Sequence, residues 1–178
     1  MQGDGNGWSL SADGSRRWGK HGAAGLLLRA PLSNGEPVVL LQHRAPWSHQ
    51  GGTWALPGGA RDSHESEADA ALREAHEETG IETAAVRVRA EMVTANLDGI
   101  WTYTTVIADT SHPLDVVPNA ESEELRWVPE DDVLSLPLHP GFAQAWPALR
   151  LAETVLATDG DLPRVEKRDD IFVWVTAR

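Results

Sequence analysis

Seven residues between positions 59 and 81 fall on a fixed grid. Gly59 is followed after five residues by Glu65, after seven more by Arg73 and Glu74, and then by Glu77, Glu78 and Gly80, with Ala75 and Ile81 at aliphatic positions. Chance agreement at seven such positions is on the order of one in 10⁸ per starting point at ordinary residue frequencies. The grid also constrains the backbone. Ser66 is suited to cap a helix, and Glu67 and Asp69 place negative charge in its first turn. No Gly or Pro interrupts the next stretch, Ala is abundant, and Gly80 is suited to end the helix in a left-handed conformation.

At about 100° per residue, Ala68, Ala71, Leu72 and Ala75 share one face of that helix, while Glu74, Glu77 and Glu78 fall within an arc of roughly 100° on another. Three neighbouring carboxylates repel one another in an ordinary helix. Hard oxygen donors of this kind suit Mg²⁺ or Mn²⁺, which neutralises them and bridges to substrate phosphates. Arg73, four residues before Glu77, is placed to pair with it or to steady a neighbouring carboxylate. A solvated acidic helix face explains Glu77 and Glu78 alone. It explains neither the offsets of Gly59 and Glu65 nor the Arg73-Glu74 pair.

Written out, the grid is G-x5-E-x7-R-E-U-x-E-E-x-G-U, where U is aliphatic or Ala. It resembles the Nudix box, the signature of the Nudix hydrolases, and every defined position matches. The resemblance implies an α/β fold, an α/β/α sandwich with a mixed central sheet and the box helix packed on it. It implies a metal-dependent hydrolase, using Mg²⁺ or Mn²⁺, in which water attacks one phosphorus of a pyrophosphate in a nucleoside diphosphate derivative or nucleoside triphosphate. Glu74 and Glu78 are then the metal ligands, with Glu77 as a further ligand or base. Glu65 orients the cluster, Arg73 holds it, and the carbonyl of Gly59 is a further ligand. In some members the base lies on a distant loop, a role for which Glu121, Glu123 and Glu124 are candidates here. The alternative within the family is a non-catalytic nucleotide-sensing domain. It is disfavoured because such domains usually carry decayed boxes. The isopentenyl-diphosphate isomerase branch uses a cysteine, and this chain has none.

The 178 residues suit one domain with a real core, and hydrophobic residues make up 41%. The resemblance covers about residues 21–158, leaving the first and last twenty as extensions. A net charge of −12 without a basic block argues against nucleic acid and anionic membrane as partners. The absence of cysteine excludes disulfides and zinc-thiolate sites. Neither a signal peptide nor a membrane span is visible, so the expected location is the cytoplasm.

In order, residues 8–20 suggest a hairpin turning at Asp13-Gly14, residues 23–29 and 38–43 two paired strands, and 54–56 a short strand running into a turn at Gly58-Gly59. Strands are expected over 85–94 and 102–109 about a turn at Asp98-Gly99, and over 124–128 with Leu125 and Trp127 on one face. Residues 129–134 begin a short helix, 141–158 are helical despite Pro147, and 171–176 read as a terminal strand. Trp101, Trp127, Trp146 and Trp174 are expected in the core.

Candidate substrate-binding residues are less sharply marked. Arg44 and Arg61 flank the site in sequence and are suited to phosphate. His43, His49, His64 and His139 are further polar candidates. Trp47, in the polar loop 44–53, is suited to stack on a base, and the region of His139 and Phe142 is a second candidate for the base pocket. Oxidised nucleoside triphosphates, ADP-ribose, NADH, diadenosine polyphosphates and nucleotide sugars all remain open. The Trp-rich termini are suited to a homodimer interface.

Overall fold

The computed structural model describes residues 3–155, 164–168 and 171–175. Trp8–Leu10 (β1) and Arg16–Trp18 (β2) form the expected hairpin, with the Asp13 carboxylate accepting the Ser15 N–H inside the turn. The main sheet is built from Ala23–Pro31 (β3), Pro37–Arg44 (β4), Trp54–Ala55 (β5), Gly58–Ala60 (β6), Arg87–Leu97 (β7), Trp101–Asp109 (β8), Ser122–Pro129 (β9), Arg164–Arg168 (β10) and Ile171–Val175 (β11). Its main path runs β11-β10-β7-β8-β3-β4-β5, with β6 also on β3 and β9 also on β4. The β3/β8 and β7/β10 pairs are parallel and the others antiparallel, so the sheet is mixed.

Alternation along the central strands splits the core in two. Leu26, Leu28 and Leu40 point to one face and pack under Ala70, Ala71 and Ala75 of Glu67–Thr79 (α1), the box helix. Leu27, Val39 and Leu41 point to the other, against Phe142, Trp146 and Leu149 of Pro140–Val155 (α2). The result is an α/β/α sandwich. Alanines on α1 leave little side chain between helix and sheet, so the helix backbone approaches the strands closely. The buried stripe is rotated from the expected one. Ala70 is fully buried, and Ala68 and Leu72 lie at its edge.

Ser66 caps α1 with a reciprocal pair of bonds to Asp69, and Gly80 ends it at φ 70°. Between Leu97 and Trp101, Asp98 and Gly99 both have positive φ, as the turn requires. The short helix expected over residues 129–134 is a 3-10 helix, Glu130–Ser135. Helix α2 starts at Pro140, where the missing N–H costs nothing, and tolerates Pro147. Trp101 and Trp146 are buried, Trp127 is partly buried and donates to the Leu114 carbonyl, and Trp174 lies outside the residues whose side chains are described. Residues 156–158 and 176 also lie outside.

One expectation is corrected. Gly58-Gly59 is not a turn but part of β6, paired with Ala24 and Gly25 of β3. A Cβ on Gly58 would stand 2.4 Å from the Ala24 carbonyl oxygen, so the residue is held to glycine by close backbone approach. Strand β3 is shared along its length. Its first residues pair with β6 and its last, from Arg29, with β4. The segment carrying β5 and β6 enters between the diverging strands, and the Leu26 N–H bonds the Pro57 carbonyl there.

Candidate active site

The site forms where β6 meets α1. Arg73 is its organiser. Nε donates to Glu65 Oε1 at 2.6 Å and one terminal nitrogen to Glu65 Oε2 at 2.9 Å, a bidentate pair. The other terminal nitrogen donates to Glu74 Oε1 at 2.7 Å and lies 3.7 Å from Glu77 Oε2. A further bond at 3.0 Å reaches the Ala60 carbonyl, tying the helix to β6. Glu65 is fixed from its other side by the Asp62 N–H at 3.0 Å. Arg73 holds the Glu65 carboxyl below the usual carboxylate range, and the Arg73 guanidinium keeps its proton more firmly than a free one.

Glu74, Glu77 and Glu78 differ in setting. Glu77 is exposed. Glu74 is mostly buried, and a Cβ on Gly59 would stand only 2.6 Å from its carboxyl carbon. Glu78 is 3% exposed and accepts the Gly58 N–H at 2.8 Å. Burial raises the proton affinity of Glu74, opposed by Arg73. Burial likewise pushes Glu78 up to about 8, opposed by donors from Gly58 and Gln42 and reinforced by the charges of Glu74 and Glu121. The cluster therefore gathers more negative charge than Arg73 offsets, all of it on hard oxygen donors. That donor set fits a divalent cation of the Mg²⁺ class.

Two segments outside the box brace it. Residues 110–121 run as a strap across the end of α1. The Val117 and Asn119 N–H groups donate to the Thr79 and Glu78 carbonyls, which would otherwise lack partners. The strap carries Glu121 near Glu74 and Glu78, close enough for its charge to act on both. At the other end, Gly5 N–H bonds the Asp62 carboxylate at 2.8 Å, and Asp4 accepts both the N–H and the hydroxyl of Ser63. This N-terminal clasp secures the turn that presents Glu65. The sequence signals neither device, because each joins groups far apart in the chain and the strap does so through the backbone.

Among the remaining candidates, Arg44 donates to the His49 carbonyl at 3.1 Å, and its charge acts on both Tyr103 and His139. Burial and the charges of Arg44 and His49 lower the proton affinity of His139, whose Nδ1 accepts the Gly141 N–H. The charges of both Arg44 and Glu78 act on Tyr103, from which burial makes the proton harder to remove. The structure does not bring Arg61 and Glu124 to the cluster as free groups. Arg61 donates to the Glu65 and His21 carbonyls, a strut for the same turn. Glu124 pairs with Arg126, and Glu123 lies 3.1 Å from His43. His64 lies beside Asp4 and Asp62 at the clasp. Trp47 is 70% exposed on a loop whose Ala45 N–H bonds the Glu121 carbonyl. Tyr103 and Gln42 are site neighbours that the sequence did not mark, since each reads as an ordinary strand residue.

The NUDIX domain model matches residues 19–150. This chain belongs to the Nudix family. It is 54% identical over 187 residues to a Mycobacterium tuberculosis (strain H37Rv) protein named "Putative 8-oxo-dGTP diphosphatase 3", covering 99% of this chain and 86% of that one. A Bifidobacterium longum nucleoside triphosphate pyrophosphatase/Nudix hydrolase fusion protein is 42% identical, over 86% of this chain and 33% of its own length. Among solved structures, the Nudix hydrolase RenU of M. smegmatis is 59% identical with a TM-score of 0.83, covering 88% of this chain and 99% of its own. The chain is a Nudix pyrophosphohydrolase. Nudix hydrolases act on small nucleotide substrates and generally use divalent metal ions. Among the described residues, no helix is long and apolar enough to cross a membrane.

Proposed function

We propose that this Nudix enzyme hydrolyses a nucleoside triphosphate with an oxidised purine base, of the 8-oxo-dGTP class, in a Mg²⁺-dependent reaction that releases pyrophosphate. The carrying observation is the carboxylate cluster of Glu65, Glu74 and Glu77 gathered around Arg73, with Glu78 buried beside it. The substrate class rests on the 54% identical mycobacterial relative and its name. Glu74, Glu78 and the Gly59 carbonyl would hold the cation, with Glu77 as a further ligand. When bound, the cation neutralises phosphate oxygens and lowers the pKa of coordinated water.

The chain's own residues do the rest. Arg44, whose charge acts on His139 and Tyr103, binds the polyphosphate. Trp47 offers an aromatic face to the base. An oxygen–phosphorus bond forms as water attacks, the phosphoanhydride bond breaks, and a carboxylate takes the proton. Glu121 and Glu77 are the two acids exposed enough to pass that proton to solvent.

The test is hydrolysis of 8-oxo-dGTP, dGTP, ADP-ribose, NADH and a diadenosine polyphosphate, each with and without Mg²⁺, with the released mononucleotides separated and quantified by chromatography. The expected result is Mg²⁺-dependent turnover with the highest kcat/KM for 8-oxo-dGTP. Preference for ADP-ribose or NADH overturns the substrate reading, and activity without divalent ions overturns the metal reading. Within the same assay, Arg44→Ala is expected to raise KM by about 10- to 100-fold, the loss of one hydrogen bond to a charged group of roughly 1.5–3 kcal/mol, with a smaller change in kcat. An unchanged KM removes Arg44 from the binding site.

A further inference from the structure

We infer that Asn119 is a positioning residue for Glu121: its side chain bridges the last turn of α1 and the Glu121 backbone, and so fixes where that acid meets the attacking water. The inference rests on the function proposed above and assigns the water's proton to Glu121 rather than Glu77. Asn119 Nδ2 donates to the Glu77 carbonyl at 3.3 Å, and the Asn119 N–H donates to the Glu78 carbonyl at 3.3 Å. Its Oδ1 accepts the Glu121 N–H at 2.9 Å and lies 3.3 Å from Ser122 Oγ. One amide therefore joins the helix turn that carries two of the site carboxylates to the loop acid.

Glu121 is held from its other side as well. Its carbonyl accepts the Ala45 N–H at 3.0 Å, next to Arg44. Ser122, the following residue, is buried, accepts the Gln42 amide at 2.9 Å, and sets its hydroxyl 3.5 Å from the Glu78 carbonyl. With both backbone groups of Glu121 bonded, the direction of its Cα–Cβ bond is set, while the side chain itself is exposed. The charge of Glu121 acts on Glu74 and Glu78. Glu77, by contrast, lies 3.7 Å from Arg73. A base must stand within hydrogen-bond reach of the proton it removes, and an exposed Glu on an unrestrained loop would spread over many positions. In the step, the water oxygen bonds to phosphorus, the phosphoanhydride oxygen leaves, and the water's proton passes to the Glu121 carboxylate. Capping of α1 does not account for the Asn119 side chain. The Val117 and Asn119 N–H groups serve the Thr79 and Glu78 carbonyls whatever side chain stands at 119.

Four variants test this: Asn119→Ala, Asn119→Asp, Glu121→Gln and the double variant Asn119→Ala with Glu121→Gln. Each is measured for kcat and KM with 8-oxo-dGTP, for thermal melting, and for Mn²⁺ affinity by loss of the free-ion electron paramagnetic resonance signal. Glu121→Gln is expected to lower kcat by about 10²-fold or more, as for loss of a general base. Asn119→Ala is expected to lower kcat by about tenfold or more through misplacement of that base, with KM and the Mn²⁺ dissociation constant within about twofold. In the double variant the loss should be no greater than in Glu121→Gln alone. Asn119→Asp keeps an acceptor for the Glu121 N–H but loses the donor to Glu77 and sets a negative charge at the end of α1. It should melt lower yet keep kcat within about threefold of wild type.

Wild-type kcat in Asn119→Ala or in Glu121→Gln overturns the inference. So does a loss from Asn119→Ala that is equally large with Gln at 121, since Asn119 then acts elsewhere. Weakened Mn²⁺ binding in Asn119→Ala, or kcat falling in step with melting temperature in both Asn119 variants, also overturns it, since either reports bracing of the helix end alone. If wild type prefers another of the nucleotides above, the substrate reading fails, while the same variants assayed on that nucleotide still decide the role of Asn119.

Discussion

Glu78→Gln is expected to lower turnover by on the order of 10³-fold while making the metal-free fold more resistant to alkaline pH. Partners that merely orient a metal ligand are worth 10- to 100-fold, so the ligand itself is worth more. The stability change follows from burial. The folded protein holds the Glu78 proton up to about pH 8, against an ordinary value of 4.5. A carboxyl raised on folding stabilises the native state fully below its unfolded value, and that contribution is lost as pH rises through the folded one. The metal-free wild type should therefore lose stability between about pH 5 and pH 8, and Gln, uncharged throughout, should flatten that part of the profile. Melting temperatures across this range in a chelator, with kcat measured in Mg²⁺, check both halves. Wild-type kcat in the variant removes Glu78 from the machinery, and an unaltered stability profile removes the burial argument.

Gly59→Ala is expected to cost activity on the order of 10²-fold with a stability change within about 1 kcal/mol. The new methyl would stand 2.6–2.7 Å from the Glu74 carboxyl group, which must swing away. Glu74 is a flexible side chain tied at its end, among the described residues, by Arg73 alone, so the fold gives little while the ligand set loses its geometry. Gly58→Ala supplies the contrast. Its Cβ meets backbone, at 2.4 Å from the Ala24 oxygen and 2.5 Å from the Gly25 Cα. There the strand pair must part, and melting temperature should fall together with activity. If the two alanine variants behave alike in kinetics and in melting, the separation of roles between these adjacent glycines fails.

The box helix was legible because every signal for it is local. Ser66, the Ala run and Gly80 act within a few residues, and Arg73 reaches Glu74 and Glu77 along one turn. The strands at 23–29, 38–43, 85–94 and 102–109 were legible for the same reason, from runs and turns, whereas their order in the sheet was not. Three features were not. The strap over the end of α1 holds by backbone N–H groups of Val117 and Asn119, which carry no residue-specific mark. Gln42 is polar in an apolar strand, yet its meaning depends on Ser122, eighty residues away. Arg61 and Arg44 look equivalent in sequence. Only their placement separates a strut bonded to two carbonyls from a cation that acts on His139 and Tyr103. Among the loop acids the same holds, since Glu121 reaches the cluster and Glu124 turns to Arg126.

The bonds from Asp4 and Gly5 to Ser63 and Asp62 bear on how the protein is handled. Even a methyl group on Gly3 would stand 2.1 Å from an Asp62 carboxylate oxygen, so a side chain at this position has no room beside the clasp. Changes of residue at position 3 therefore press on the loop presenting Glu65, and a cloning scar that replaces this glycine reaches the active site through Asp62.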